Sequence, residues 1–391
     1  MSDRRHFLKQ VALFGAMPAT PITFALGQAK PQIEPRPEPS DGSFPVIYRQ
    51  LFRTRTPRRI TVPDVGDFKV LKGDFHIHTL FSDGSMLPAY RVIEAVDNGL
   101  DIISITDHIE IRPYIGGYGL KLLNGNDDHN IAYDLSVREA EKQNIILVRG
   151  TEITKSAMPP GHFNALFIKD ANPIAAVRED WRKMLAVATD QGGFIQWNHP
   201  GFISAEGGGL ERGAPMRFMK EHEEAYRNGR LHGIEIFNTI SYYPIVSQWC
   251  EERNLAVVAN SDIHLSEWDQ YGSQNPDRPM TLVLAKERSH DSVREAFFAN
   301  RTIAFVAGMI IGRREWLEKL FSSCVTMTAR PGLIELVNKS DIPCLVHAGG
   351  MVRELPVRDR PLSIYRSDSM KKLTVGNWLV DMNHPLEIKL E

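Results

Sequence analysis

Apolar residues recur along this chain in short runs separated by longer segments of helical period. Seven runs have the length of strands: Lys72–His78, Asp101–Thr106, Ile145–Arg149, Phe163–Ile168, Gly193–Trp197, Gly233–Phe237 and Ala256–Asn260. Between most of them, Pro88–Asn98, Ile131–Gln143, Pro173–Asp190, Met216–Asn228 and Ile245–Arg253 carry the spacing of amphipathic helices. Strands alternating with helices predict parallel pairing through right-handed crossovers. Seven strands suit a closed or nearly closed barrel, and an open doubly wound sheet is the alternative. No Gly-x-Gly-x-x-Gly follows the first run, so a dinucleotide fold has no support. Thr281–Ala285 and Ser289–Asn300 read as one more strand and helix, closing this unit near residue 308. From residue 312 the pattern shortens. Cys324–Ala329, Leu333–Asn338, Cys344–Ala348, Leu362–Tyr365, Thr374–Val375 and Leu386–Leu390 predict a small all-β domain over 312–391, of sandwich type.

Composition changes this picture little. The 391 residues are 42% hydrophobic and 24% charged, ordinary for a globular protein with a substantial core. A formal net charge of -2 gives no sign of a nucleic-acid-binding surface. Cys250, Cys324 and Cys344 are the 3 cysteines and show no Cys-x-x-Cys spacing. That excludes a disulfide framework and a thiolate zinc site, and leaves a single Cys324–Cys344 bridge or three buried thiols.

The N-terminus adds a compartment. Arg4-Arg5 precede Phe7-Leu8-Lys9, an apolar run from Val11 to Leu26 broken by Gly15, Pro18 and Pro21, and the small-residue end Gly27-Gln28-Ala29. Residues 1–29 resemble a twin-arginine export signal, which implies the twin-arginine export machinery as a partner and a periplasmic or secreted protein. The run is too short and broken for a bilayer span, and no cysteine stands at the cleavage point to take a lipid, so no stable membrane anchor is expected. Residues 30–67 are a lead-in that opens on a proline-rich linker (Pro31, Pro35, Pro37, Pro39).

Candidate chemistry gathers at the strand ends. His76-Ile77-His78 places two imidazoles on one side of a strand, where they can share a divalent ion. Asp83 follows that strand in Ser82-Asp83-Gly84. His108 ends the second strand and Glu152 the third. His162 opens the fourth, and His199 follows the fifth in Asn198-His199-Pro200. Asp262 and His264 follow the seventh, repeating the spacing of two. Metal-ligand residue types at one end of strand after strand are explained by convergence on one rim, where the active sites of α/β barrels lie.

As a set these motifs resemble the PHP family, the polymerase-and-histidinol-phosphatase superfamily of metal-dependent phosphoesterases. The matching text is Asp74-Phe75-His76-Ile77-His78-Thr79, Ser82-Asp83-Gly84, Ile105-Thr106-Asp107-His108, Gly150-Thr151-Glu152, His162, Asn198-His199-Pro200 and Asp262-Ile263-His264, within residues 68–308. The resemblance implies a distorted (β/α)7 barrel and three divalent ions. It assigns His76, His78 and Asp262 to one ion. Glu152 bridges that ion to a second, also held by His162 and His199, and Asp83, His108 and His264 take the third. Imidazole and carboxylate ligands suit zinc, manganese or iron alike. Three divalent ions outweigh three carboxylates and one hydroxide by about two charges, which favours an anionic phosphate ester over a neutral amide.

The reaction implied is attack of a metal-bridging hydroxide on the phosphorus of a small mono- or diester, with Asp107, Glu152 and Asp262 as the catalytic carboxylates. Asp107 has two readings, carrying a proton to the leaving group or orienting His108. Lys155, Asn198, Asn238 and His129 are candidates for the substrate-binding surface. Arg112, Tyr114, Tyr242, Tyr243 and Trp268 could bracket an organic leaving group. Two other functions stay open. One is an amidohydrolase-like metal enzyme acting on a non-phosphate bond, which would want a carboxylated lysine at a strand end, where only Lys155 is near. The other is a non-catalytic exported metal-binding protein using the β-rich tail as its binding module.

Overall fold

The computed structural model describes residues 41–47, 59–112, 128–154, 157–204, 209–271, 278–348, 350–367 and 369–390. The export signal expected at 1–29, the proline-rich start of the linker, Tyr114 and Lys155 lie outside the described residues. Among the described residues, no helix is long and apolar enough to cross a membrane.

All seven expected runs form strands: β1 Lys69–Ile77, β2 Ile102–Ile105, β3 Ile146–Ile153, β4 Phe163–Leu166, β5 Phe194–Trp197, β6 Gly233–Asn238 and β7 Ala256–Asn260. They belong to one large mixed sheet in which β1 through β6 neighbour one another in chain order. β1, β2 and β3 pair in parallel, as do β5 with β6 and β6 with β7. β4 departs from the expected all-parallel order and runs antiparallel to both β3 and β5. The link from Ile153 to Phe163 is too short for a helical crossover, which needs a dozen or more residues, so the chain turns straight back. β2, β4, β5, β6 and β7 are buried along their whole length, which is why they read as continuous apolar runs rather than alternating ones. β7 leads back toward β1: Ile263 bridges Ile77, and the His78 N–H donates to the Ile263 carbonyl at 3.0 Å.

The helices α1 Pro88–Asp97 and α2 Ile131–Gln143 form as expected. The helix expected over 173–190 is two pieces, α3 Asn172–Ala175 and α4 Trp181–Asp190. The Asp180 carboxylate caps α4 by accepting from the N–H groups of Arg182 and Lys183, so the chain restarts there instead of continuing. α5 Lys220–Arg227, α6 Ile245–Arg253, α7 Glu267–Tyr271 and α8 His290–Phe298 follow. β8 Met280–Ala285, β9 Thr302–Val306 and β10 Met309–Gly312 extend the large sheet antiparallel from β1.

The tail is not all-β. It opens with helix α9, Arg314–Cys324, whose buried Trp316, Leu317, Leu320, Phe321 and Cys324 form one apolar stripe. Its strands are β11 Val325–Arg330, β12 Leu333–Asn338, β13 Cys344–Ala348, β14 Met351–Leu355, β15 Pro361–Tyr365, β16 Lys372–Leu379 and β17 Pro385–Lys389. β11, β12 and β15 make a second, three-stranded antiparallel sheet. The other four join the large sheet, because β16 pairs in parallel with β10. Trp316, Leu317, Phe321 and Trp378 pack in one cluster with Leu282, Ile303 and Ile310, so tail and body share a core. Cys250, Cys324 and Cys344 are buried and free, and the Cys324–Cys344 bridge is not formed.

Candidate metal centre

The backbone holds register to the rim where the ligand-type residues stand. The Thr106 N–H donates to the Ile77 carbonyl at 2.8 Å, and the Glu152 N–H to the Thr106 carbonyl at 3.1 Å. His78, His108 and Glu152 are thereby carried on three adjacent strand ends. All nine side chains singled out in the sequence converge there. Glu152 is the hub. Its Oε2 lies 3.1 Å from Nε2 of His76, 3.1 Å from Nε2 of His78 and 3.3 Å from Nε2 of His108. Its Oε1 lies 3.0 Å from Nδ1 of His162 and 3.4 Å from Nε2 of His199. Asp262 Oδ1 sits 3.2 Å from Nε2 of both His76 and His78, and its Oδ2 is 3.9 Å from His199. Asp83 faces Nε2 of His264 at 3.3 Å and Nε2 of His108 at 3.6 Å.

These spacings fit a metal. Two ligand atoms each about 2.1 Å from one ion in tetrahedral geometry stand about 3.4 Å apart. Four groups can each share an ion: His78, Asp83, His108 and His264; His76, His78 and Asp262; His76, Glu152 and His199; His108, Glu152 and His162. Among the described residues, no hydrogen-bond partner reaches the buried His78 Nε2 and Asp262 Oδ1, which is costly unless something else uses their electron pairs.

Electrostatics within the cluster are strong. Burial pulls the His76 and His78 pKa values down, but the facing carboxylates outweigh it. Asp262, Glu152 and Glu235 push His76 well above the usual histidine value, and Asp262 and Glu152 push His78 up to about 9. For Glu152 and Asp262, burial opposes ionisation, yet the surrounding imidazoles hold both carboxyls well below the usual range. Asp83 is likewise lowered, by His264, His108 and His78 against its own burial. His162 goes the other way, because burial outweighs its attraction to Glu152.

A second layer, centred on Glu235, which the sequence does not single out, holds these groups in place. Glu235 on β6 is wholly buried. Its Oε1 lies 2.8 Å from His76 Nδ1 and accepts from Asn260 Nδ2 at 3.0 Å. Its Oε2 accepts from the His199 N–H at 2.8 Å and from Asn238 Nδ2 at 2.8 Å. With Nδ1 of His76 engaged by Glu235, Nε2 is the ring nitrogen left to face Glu152 and Asp262. His199 and Asp262 have left-handed backbone, φ 28° and 50°. Such strain at a non-glycine residue persists only where the surroundings impose it, and the Glu235 contact is one such restraint on His199.

Arg91, buried on α1, donates to the carbonyls of His78 at 2.9 Å, Leu265 at 2.8 Å and His264 at 3.0 Å, tying together the segments that carry His78 and His264. Gly84 permits the Asp83 loop to lie on the strand end, since a Cβ there would come within 2.6 Å of the His78 carbonyl carbon.

The other candidates have more varied places. Asp107 accepts from the Thr79 N–H at 2.6 Å, the Thr79 hydroxyl at 2.5 Å and the Ser82 hydroxyl at 2.6 Å, so it grips the loop leading to Asp83. Asn198 is buried beneath the cluster and donates to Glu152 Oε1 at 2.8 Å. Asn238 is bound to Glu235, as above. His129 lines a different hollow of about 670 Å³ with Asp128, Asn172 and Arg178, none of them among the nine. Tyr242 and Tyr243 are buried, Trp268 is exposed, and Arg112 donates to the Asp128 carbonyl at 2.8 Å.

Comparison with known proteins adds a relative. A solved structure from Bacteroides vulgatus, a two-domain protein containing a predicted PHP-like metal-dependent phosphoesterase, is 33% identical to this chain. The match covers 87% of this chain and 99% of that one, with a TM-score of 0.75. A candidate metal-dependent phosphoesterase of Bifidobacterium adolescentis matches at 17% identity over 58% of this chain and 96% of its own. An amidohydrolase of Chromobacterium violaceum matches at 13% over 50% and 89%. Both of these have TM-scores of 0.37 and carry no weight here. No family model matches the sequence, and no curated protein does.

Proposed function

The chain belongs to the PHP-like metal-dependent phosphoesterases, and on that premise we propose that it hydrolyses a small phosphate mono- or diester at the nine-residue cluster. One observation carries the assignment: the two oxygens of Glu152 face different sets of histidines, as a carboxylate bridging two ions must. His76, His78 and Asp262 would hold one ion, Glu152, His162 and His199 a second, and Asp83, His108 and His264 a third. Zinc, manganese and iron all suit these donors. Divalent ions held there would lower the pKa of water toward neutrality and screen the phosphoryl oxygens.

In the hydrolysis, a water oxygen joins phosphorus, the ester P–O bond breaks, and the alcohol leaves with a proton. Glu152 and Asp262 supply the negative charge that keeps the cluster assembled. Glu235 fixes the His76 tautomer, and Asn198 orients Glu152. Three donors already occupy Asp107, which suits it to positioning the Asp83 loop rather than carrying a proton.

The return of β7 to β1 through Ile263 supports the distorted (β/α)7 barrel, with 312–391 built onto it through β16 and the shared core. Export to the periplasm or beyond rests on the twin-arginine text of residues 1–29. Initial rates on p-nitrophenyl phosphate and on its bis ester, with manganese or zinc added, test the function. Turnover of at least one, with competitive inhibition by inorganic phosphate, is expected. Turnover of an amide or lactone in preference to both would overturn it.

A further inference from the structure

The cluster accounts for the phosphoryl end of a substrate but not for the alcohol end. The segments that follow His199 and His264 leave large apolar side chains in water: Phe202 and Ile203 after the first, Leu265 and, on α7, Trp268 after the second. Phe202 touches the cluster. Its ring centroid lies 5.8 Å from that of His162 and 5.1 Å from that of His199, tilted by 54° and 60°. Even so, the residue is 43% exposed.

Nor is it loosely held. The Phe202 N–H donates to the His199 carbonyl at 2.9 Å, its own carbonyl accepts from the Leu210 N–H at 2.7 Å, and Ile203 bridges Leu210. Behind it, a Cβ on Gly201 would come within 2.8 Å of the Tyr243 ring, so the turn packs directly on a buried side chain. A fixed aromatic ring resting on two imidazoles, with much of its surface in water, gains free energy when a flat or hydrocarbon group covers it.

We propose that Phe202 is the platform for the leaving group, and that the preferred substrates are phosphate esters of aromatic or hydrocarbon alcohols. A polyol ester would set its hydroxyls against hydrocarbon and exchange water for nothing. This specificity rests on the phosphoesterase assignment made above.

The test compares two esters of unactivated alcohols, 2-phenylethyl phosphate and glycerol phosphate, in wild type and Phe202→Ala. It also measures calorimetric binding of 2-phenylethylphosphonate and methylphosphonate to the metal-loaded proteins. Wild type is expected to favour the phenylethyl compounds in both kcat/KM and Kd. Phe202→Ala is expected to narrow both ratios by about three- to tenfold, mainly through KM, with metal content retained, while Phe202→Trp preserves them. Equal handling of the two esters by wild type overturns the platform. So does an equal loss on both esters in Phe202→Ala, which is what a mere brace for His162 and His199 would give. Binding of both phosphonates without preference removes the platform and leaves the phosphoesterase assignment standing. Failure to bind either phosphonate or cleave either ester removes the platform, and removes the phosphoesterase assignment with it when p-nitrophenyl phosphate and its bis ester are left intact as well.

Discussion

The two ends of the ligand cluster are built differently. Around Glu152 the groups are buried and hydrogen-bonded from behind. His76 leans on Glu235, Asn198 donates to Glu152, and the His199 N–H is held by Glu235. Around Asp83 the support is mostly backbone. Arg91 grips the carbonyls of His78 and His264, and Gly84 lets the loop lie close, while the side chains of Asp83 and His264 remain 26% and 34% exposed. A buried, hydrogen-bonded ligand set pays little reorganisation on binding an ion, whereas an exposed set exchanges with water. The Glu152 end is therefore expected to retain its metal through purification, and the Asp83 end to lose and regain it.

Four experiments can break or sharpen that contrast. The largest effect belongs to Glu152→Ala, which removes the oxygen partners of five imidazoles at once. Turnover should fall on the order of a hundred- to a thousandfold, with metal lost from the buried end. Full metal content together with wild-type turnover would end the assignment. Next comes Glu235→Gln, which keeps the shape and removes the charge behind His76. Metal affinity should drop about 10- to 100-fold by competition with a chelator, and an unchanged affinity would reduce Glu235 to packing. Asp83→Asn should act at the open end only. Its activity deficit, about tenfold, should close as manganese or zinc is raised; a deficit indifferent to added metal would mean the two ends are not separable.

The smallest effect is on metal-free stability. The folded His78 pKa, about 9, lies above the ordinary histidine value of 6.5. Its stabilisation is therefore complete below about pH 6.5 and lost as pH rises toward 9. Asp83, Glu152 and Asp262 have lowered values, so their contribution is present above the ordinary carboxylate range and lost as pH falls below it. Chelated protein should melt at lower temperature at pH 9 than at pH 6.5. Metal uptake should release protons and tighten with pH. A melting temperature that rises from pH 6.5 to 9 would contradict this.

The same contrast marks what the sequence makes legible. All nine side chains that meet at the rim stand at strand ends, where a histidine or carboxylate breaks an apolar run and is easy to see. Strand direction is harder, because hydrophobic period is blind to it. Only the short link from Ile153 to Phe163, without a helical pattern, signals that β4 turns back. Helix α9 is legible in the spacing of Trp316, Leu317, Leu320, Phe321 and Cys324, but Cys324 also begins a strand-like run, and the strand-like runs of the tail mask it. The supporting groups are the most concealed. Glu235 is one charge inside Gly233-Ile234-Glu235-Ile236-Phe237, and Arg91 one cation on the buried face of α1 beside Val92 and Ala95. Each is a charge where the local period demands an apolar residue, and that mismatch is the signal. Its partners lie far away in sequence, so only the fold identifies them.

The most direct measurement is metal analysis of purified wild-type protein combined with phosphate-ester hydrolysis before and after chelation. The expected result is more than one equivalent of divalent metal per chain, loss of hydrolysis when the metal is stripped, and its return with zinc, manganese or iron. Stripped protein that hydrolyses the esters as well as before, or fully loaded protein inert toward mono- and diesters alike, would contradict the account.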